Sequence, residues 1–470
     1  SDRRHTMSKL SLLDLGFFVA ETAASPKHVA GLLICKRPPG AGAGFARALY
    51  REYLTHTEVK APFNHVIDFF TLGSLPQWRR AETVDLAQHI HYRKLPKGRN
   101  RRQDLYAEVS RLHEPMLDRS RPLWEMHVID GLAGGGFAIY QKVHHAYADG
   151  VTMSRWMAES MATSADEQTL TPVWTLRHGG HGTRRREANE AFVQALLKGV
   201  GSTASRLLGV GRLAAMLTLE GLRLTKNAIA LPFVSTARTP LTGQVTAGRQ
   251  FTAAGVSMAR ISDLRKRTRS TVNHIALTCL DGALRHYLKD LQVDLNRPIT
   301  IQMPVNLRRD GEQTAGNKIG IIQVELSAPS DDPYVRLRNI GFSLRNVRTM
   351  IDSVAPEAIE TYTILTGLVG QAAELLQLSN TLPPMGNTLV SNVPGPAKPL
   401  YAKGARVEEM HPISTLPPSN LLNITLFSYA GELYFGLIAT DELPNLQRLG
   451  DYVLQAFDEL EQSVRDAHAP

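Results

Sequence analysis

The chain has 470 residues, 43% hydrophobic and 21% charged, a composition that excludes a disordered or fibrous protein and a length that predicts two domains of roughly 200 residues each. Its formal net charge of +9 favours polyanionic partners such as phosphorylated cofactors or anionic lipid surfaces, and no zinc-finger, helix-turn-helix or RNA-recognition pattern supports nucleic acid. Only Cys35 and Cys279 occur, which argues against a disulfide framework and fits a reducing cytoplasm, and no stretch of about 18 uncharged apolar residues is present to span a membrane.

In chain order, residues 11–20 read as a short helix with Asp14 in its first turn, and residues 29–35 as a strand. Residues 41–55 place Phe45, Leu49 and Tyr53 on one helical stripe. Residues 63–69 and 90–95 read as strands, and residues 105–117 carry Leu105, Val109, Leu112 and Met116 near helical spacing. Residues 125–129 and 137–143 pair as strands across the glycine-rich turn 131–136, which lacks the lysine of a phosphate-binding loop and reads as a plain hairpin. Residues 151–161 return to helical spacing after Gly150. Residues 165–186 turn polar and basic and are a linker candidate. Residues 189–234 read as basic amphipathic helix, with two roles open: lying on anionic lipid, or packing between the halves.

A second α/β pattern begins near Gln250. Strands are expected over 251–256, 299–304, 319–326, 388–393, 420–429 and 433–439. Helices are expected from Ile261, over 273–288 with Asn273 as N-cap, from the end of the third strand to about Leu378, and over 446–464. The expected organisation is a first lobe over 1–180, a linker and helical connection over 181–245, and a second lobe over 246–470, of α/β class.

The chemistry concentrates at His144-His145-Ala146-Tyr147-Ala148-Asp149-Gly150, where a strand meets a helix. Histidine moves protons near neutral pH with little tuning. Adjacent side chains of an extended backbone point to opposite faces, so one histidine is expected to face a cleft while the other packs or hydrogen-bonds inside. Asp149 either orients the His145 ring or turns away to pair with an arginine, Arg308 or Arg309; the second is preferred, because Gly150 bends the backbone and carries the aspartate with it. A metal site lacks a third ligand at suitable spacing.

The HHxxxDG string formed by His144, His145, Asp149 and Gly150 resembles the motif shared by chloramphenicol acetyltransferase-like acyltransferases, carnitine acyltransferases and peptide-synthetase condensation domains. With Pro122-Leu123-Trp124, Met303-Pro304-Val305-Asn306-Leu307-Arg308 and Ser391-Asn392-Val393-Pro394-Gly395-Pro396, it resembles the bacterial bifunctional wax ester synthase/acyl-CoA:diacylglycerol acyltransferases over nearly the whole chain. One departure is Asn273-His274, where that family often carries Asn-Asp. The resemblance implies two lobes, each a mixed β-sheet flanked by helices, with the active site in a channel between them. It also implies transfer of a long acyl chain from acyl-CoA, as co-substrate with no further cofactor, to a fatty alcohol or diacylglycerol, with His145 as general base. Asn273, Ser391 and Asn392 are the expected substrate-side residues of the second lobe. Trp124 either lines the acyl cavity or packs the hairpin, with packing preferred. The implied location is cytoplasmic, with peripheral contact to the inner membrane face or a lipid droplet left open. Two alternatives stand beside this one: a condensation-type enzyme that takes its donor from a carrier protein, and a non-catalytic lipid-surface protein.

Overall fold

The computed structural model describes residues 8–10, 12–69, 76–178, 236–307, 319–354 and 356–468. The basic helical region 189–234 and Arg308 and Arg309 lie outside them.

The first lobe is built on a sheet of six strands in the order β12-β13-β2-β7-β6-β5: β2 (His28–Lys36), β5 (Ile90–Lys94), β6 (Trp124–Asp130), β7 (Phe137–His144), β12 (Tyr401–Ala402) and β13 (Ala405–Ile413). All eight residues of β7 are buried, so apolar and polar positions do not alternate; both faces of this strand are covered by protein. Helices α2 (Phe45–Tyr53), α3 (Arg102–His113) and α4 (Gly150–Glu159) flank the sheet. Helix α4 lies directly on β2 at Gly31, where any Cβ would collide with Met157 Sδ. A small sheet of β1 (Ser8–Lys9), β4 (Gln77–Arg80) and β3 (His65–Asp68) sits beside helix α1 (Leu12–Ala20).

The second lobe carries the sheet β10-β9-β11-β14-β15-β8: β8 (Gln250–Ser257), β9 (Thr300–Asn306), β10 (Ile319–Glu325), β11 (Thr388–Pro394), β14 (Leu422–Tyr429) and β15 (Glu432–Ala439). Strand β11 runs parallel to both β9 and β14, and the other pairs are antiparallel. Helices α5 (Met258–Thr268), α6 (Val272–Asp290), α7 (Pro333–Ser353), α8 (Pro356–Leu375) and α9 (Leu446–Ala467) complete this lobe.

Two features differ from the sequence reading. Residues 405–413 belong by position to the second half, yet β13 completes the first lobe's sheet, pairing with β2 from Arg406↔Lys36 to Ile413↔Ala30. The described start of the linker candidate is not a linker. Leu170, Val173 and Trp174 are buried, with Trp174 0% exposed, and the Trp174 indole stacks on Trp124 at 5.0 Å while its Nε1 donates to His56 O. One buried indole outweighs the polar residues around it, because apolar area removed from water is worth roughly 25 cal/mol per Å². The largest apolar cluster runs without interruption from Leu32 and Tyr140 of the first lobe to Leu280, Leu437 and Val453 of the second, so the lobes share one core.

Candidate active site

Strand β7 ends on His144, in register with His28 of β2. One residue on, the His145 amide donates to Lys27 O at 2.8 Å, so the backbone of the histidine pair is pinned from the neighbouring strand. The Pro122-Leu123-Trp124 string holds the other side. Leu123 O accepts from the His144 amide at 3.0 Å, the Leu123 amide donates to Tyr147 Oη at 2.9 Å, and the Tyr147 hydroxyl donates to His65 O. Trp124 is buried, donating from Nε1 to Phe63 O and stacking on His89 and Trp174; it does not line the cavity described below.

The strand ends at His144 and His145 opens a turn, and the two rings differ in their surroundings. His144 is 1% exposed, and its Nδ1 accepts from the Ala146 amide at 3.1 Å. The ring proton therefore sits on Nε2, which donates to Glu21 Oε1 at 3.2 Å. Phe18 stacks flat on this ring at 4.4 Å. Glu21 also accepts from Arg119 Nη2 at 2.9 Å and from the Lys27 amide at 2.7 Å. Burial alone would raise its carboxyl, but His144, Lys27 and Arg119 together hold it down at about 2. His145 is half-buried, with the Phe17 ring 4.2 Å from its own. Burial pulls its pKa down to about 4, against the opposing pull of the Asp149 charge, so the imidazole is neutral at pH 7.

The arginines expected to pair with Asp149, Arg308 and Arg309, lie outside the described residues. Asp149 is the N-cap of α4, accepting from the Thr152 amide at 2.7 Å, because the first turn of a helix leaves amides unpaired and a carboxylate there is further favoured by the dipole. Asp149→Ala is therefore expected to lower stability by about 1 kcal/mol, and Asp149→Asn, which keeps the cap, by less; urea unfolding of both variants checks this.

In the second lobe Asn273 is not the N-cap of α6. Thr271 caps it, accepting from the His274 amide at 3.1 Å, and Asn273 follows in the first turn with Nδ2 directed at Met303 Sδ, 3.9 Å away. Asn273, Met303 and Asn392 open on one cavity of about 1030 Å³. Ser391 does not, since neighbouring residues of β11 point to opposite faces. Ser391 lies beside Thr425 in the β11–β14 register. Thr425 Oγ1 is 3.3 Å from Ser414 Oγ, and Ser414 Oγ would lie 3.4 Å from a Cβ placed on Gly150. A line of hydroxyls thus leads from Ser391 to the glycine that opens α4.

Glu21, Lys27 and Ser414 were not found from sequence. Each comes from a segment with no motif of its own, and only pairing across elements brings it to the corner. Lys27 ties the corner to the second lobe: its Nζ forms a buried ion pair with Glu374 of α8 at 3.2 Å. Among the described residues no group of three acidic, histidine or cysteine side chains is arranged to hold a metal.

Comparison with known proteins places this geometry. The family model for the wax ester synthase/diacylglycerol acyltransferase catalytic domain matches residues 10–276, and that for the WS/DGAT C-terminal domain matches residues 315–461. Two Mycobacterium tuberculosis (strain ATCC 25618 / H37Rv) proteins named as probable diacylglycerol O-acyltransferases are similar. One is 31% identical over 454 residues, covering 96% of this chain and 98% of the relative; the other is 31% identical over 469 residues, covering 97% of each. The solved wax ester synthase/diacylglycerol acyltransferase from Marinobacter aquaeolei VT8 superposes with a TM-score of 0.79 at 30% identity, over 97% of this chain and all of that one. The first condensation domain of the CDA synthetase shares the fold alone, with a TM-score of 0.57 at 15% identity over 99% and 97% of the two chains. The chain belongs to the wax ester synthase/diacylglycerol acyltransferase family of acyl-CoA-dependent acyltransferases.

Proposed function

We propose that this enzyme transfers a long-chain acyl group directly from acyl-CoA to the hydroxyl of a fatty alcohol or diacylglycerol, with His145 as the general base. The observation that carries the assignment is the division of labour at the corner: His144 is sealed and committed to Glu21, whereas His145 is half-buried and uncharged at neutral pH. A neutral imidazole keeps one ring nitrogen unprotonated, and Nε2 is the one assigned here as acceptor. Nε2 takes the hydroxyl proton while the oxygen attacks the thioester carbonyl carbon. As the tetrahedral intermediate collapses, the C–S bond breaks and the imidazolium proton goes to the departing sulfur. Both substrates meet in one cleft, so no acyl-enzyme is needed. Oxyanion donors would come from the hydroxyls near Gly150, with Ser414 and Ser391 the side chains best placed. Asn273 and Asn392 would contact the donor from the second lobe.

No described helix is long and apolar enough to cross a membrane, and contact with a membrane or lipid droplet would be peripheral. Palmitoyl-CoA with hexadecanol or dipalmitoylglycerol, and no carrier protein, should release CoA in step with ester on thin-layer chromatography. Absence of ester would overturn the reading. The same assay tests the ionisation of the base. The folded-state pKa of His145 lies below its ordinary value of 6.5, at about 4, so the neutral form persists as pH falls through 6.5. The acid limb of kcat/KM is expected well below pH 6, and a limb near 6.5 would show that the ring is not desolvated as described.

A further inference from the structure

The cavity beside Asn273 and Asn392 has a composition that ester chemistry alone does not need. Arg269, Arg338, Arg345 and Arg348 line it, against a single lining carboxylate, Asp352. Among the described residues none of the four arginines forms an ion pair with a carboxylate. Arg338, Arg345 and Arg348 stand on α7, and Arg345 is held with its guanidinium 4.7 Å above the Phe342 ring. Arg269 stands at the end of α5 in a left-handed backbone conformation, with φ of 52°, which directs the chain into the capped start of α6 at the cavity wall. The positive end of the α6 dipole therefore opens on the same space. His274, whose Nε2 donates to Leu337 O at 2.5 Å, adds no negative charge there: burial lowers its pKa, and Arg345 lowers it further.

Unpaired arginines converging on a concave site focus positive potential, and their planar forks suit phosphate oxygens. We infer that this cavity receives the phosphorylated nucleotide end of the thioester donor, with Arg338, Arg345 and Arg348 on its phosphates. The pantetheine arm would leave the cavity past Asn273 and Asn392. Strand β11 offers the route: Asn392 faces the cavity, and the next residue back, Ser391, faces the hydroxyl line that ends at Gly150. This inference rests on acyl-CoA being the donor, but its binding arm requires no acyl transfer.

The test is the full-length variant Arg338→Gln/Arg345→Gln/Arg348→Gln, whose three sites are exposed and outside the core. Adenosine 3′,5′-bisphosphate binding, measured by calorimetry, should weaken roughly ten- to a hundredfold, as should the KM for palmitoyl-CoA, because charge-assisted hydrogen bonds to phosphate are lost. The kcat/KM for palmitoyl-N-acetylcysteamine, a thioester without phosphates, should stay at the wild-type value, and rising salt should weaken bisphosphate binding to the wild type more than to the variant. Unchanged bisphosphate binding in the variant would overturn the assignment. So would an equal loss with both thioesters, or an unchanged KM for palmitoyl-CoA accompanied by lost flotation with phosphatidylglycerol vesicles, which would give the arginines to a lipid surface. A failure of His145 as base would instead abolish neither bisphosphate binding nor its dependence on the three arginines.

Discussion

Replacing His145 with alanine is expected to lower palmitoyl-CoA-dependent ester formation by roughly 10²- to 10⁴-fold, the usual contribution of a positioned general base. The loss should fall on kcat, since the ring contributes a proton acceptor to the reaction and little to holding either substrate. Stability should change little: His145 is half-buried, its backbone bond to Lys27 O survives the substitution, and its main ring contact is Phe17. A variant that melts with the wild type but turns over at its rate would remove His145 from the mechanism. His144→Ala makes the informative contrast, because it breaks a buried hydrogen bond and a stacked ring pair and should lose stability as well as rate.

The second large effect is expected at Glu21. This carboxylate joins three groups: the His144 ring, the Arg119 guanidinium and the Lys27 amide. The Lys27 carbonyl in turn accepts from His145, so Glu21 supports the base along two routes. Glu21→Ala leaves buried donors unpaired and should cost about 3–5 kcal/mol, the usual consequence of removing one member of a buried charged network. Because misplacing a reacting group by an ångström costs up to about 10²-fold, kcat should fall by one to two orders of magnitude while KM for palmitoyl-CoA holds. The milder Glu21→Gln keeps the shape and isolates the charge. Its pH dependence has a definite sign. The folded-state pKa lies below the unfolded one, at about 2 against 4.5, so the carboxylate's contribution, about 3 kcal/mol, is fully present above pH 4.5 and lost as pH falls toward 2. The stability gap between wild type and Glu21→Gln should therefore close over that window; a gap unchanged down to pH 2 would deny the network its electrostatic role.

Most strands and helices were legible because their periods are simple, and the reacting corner was legible because a whole motif marks it in one contiguous run. What escaped had a physical reason. Residues 405–413 alternate poorly and carry Pro412 and two glutamates, and their partner is more than 360 residues away in the chain. Trp174 sat in a polar stretch whose average concealed one indole aimed inward. Asn273 was read as the cap because it looked like the helix's first residue, whereas Thr271, two positions earlier, offered the hydroxyl that the His274 amide uses. Glu21 and Lys27 carry no pattern at all; their function exists only through the neighbours that folding supplies.

The pairing of β13 with β2 bears on how the protein is made. A nascent chain that has emerged only through residue 400 has its first sheet open along β2, a buried strand of apolar residues whose amides and carbonyls seek a ladder. Maturation of the amino-terminal lobe must wait until residues 405–413 have been made, and in that interval the bare edge is an aggregation hazard and a natural client surface for a chaperone.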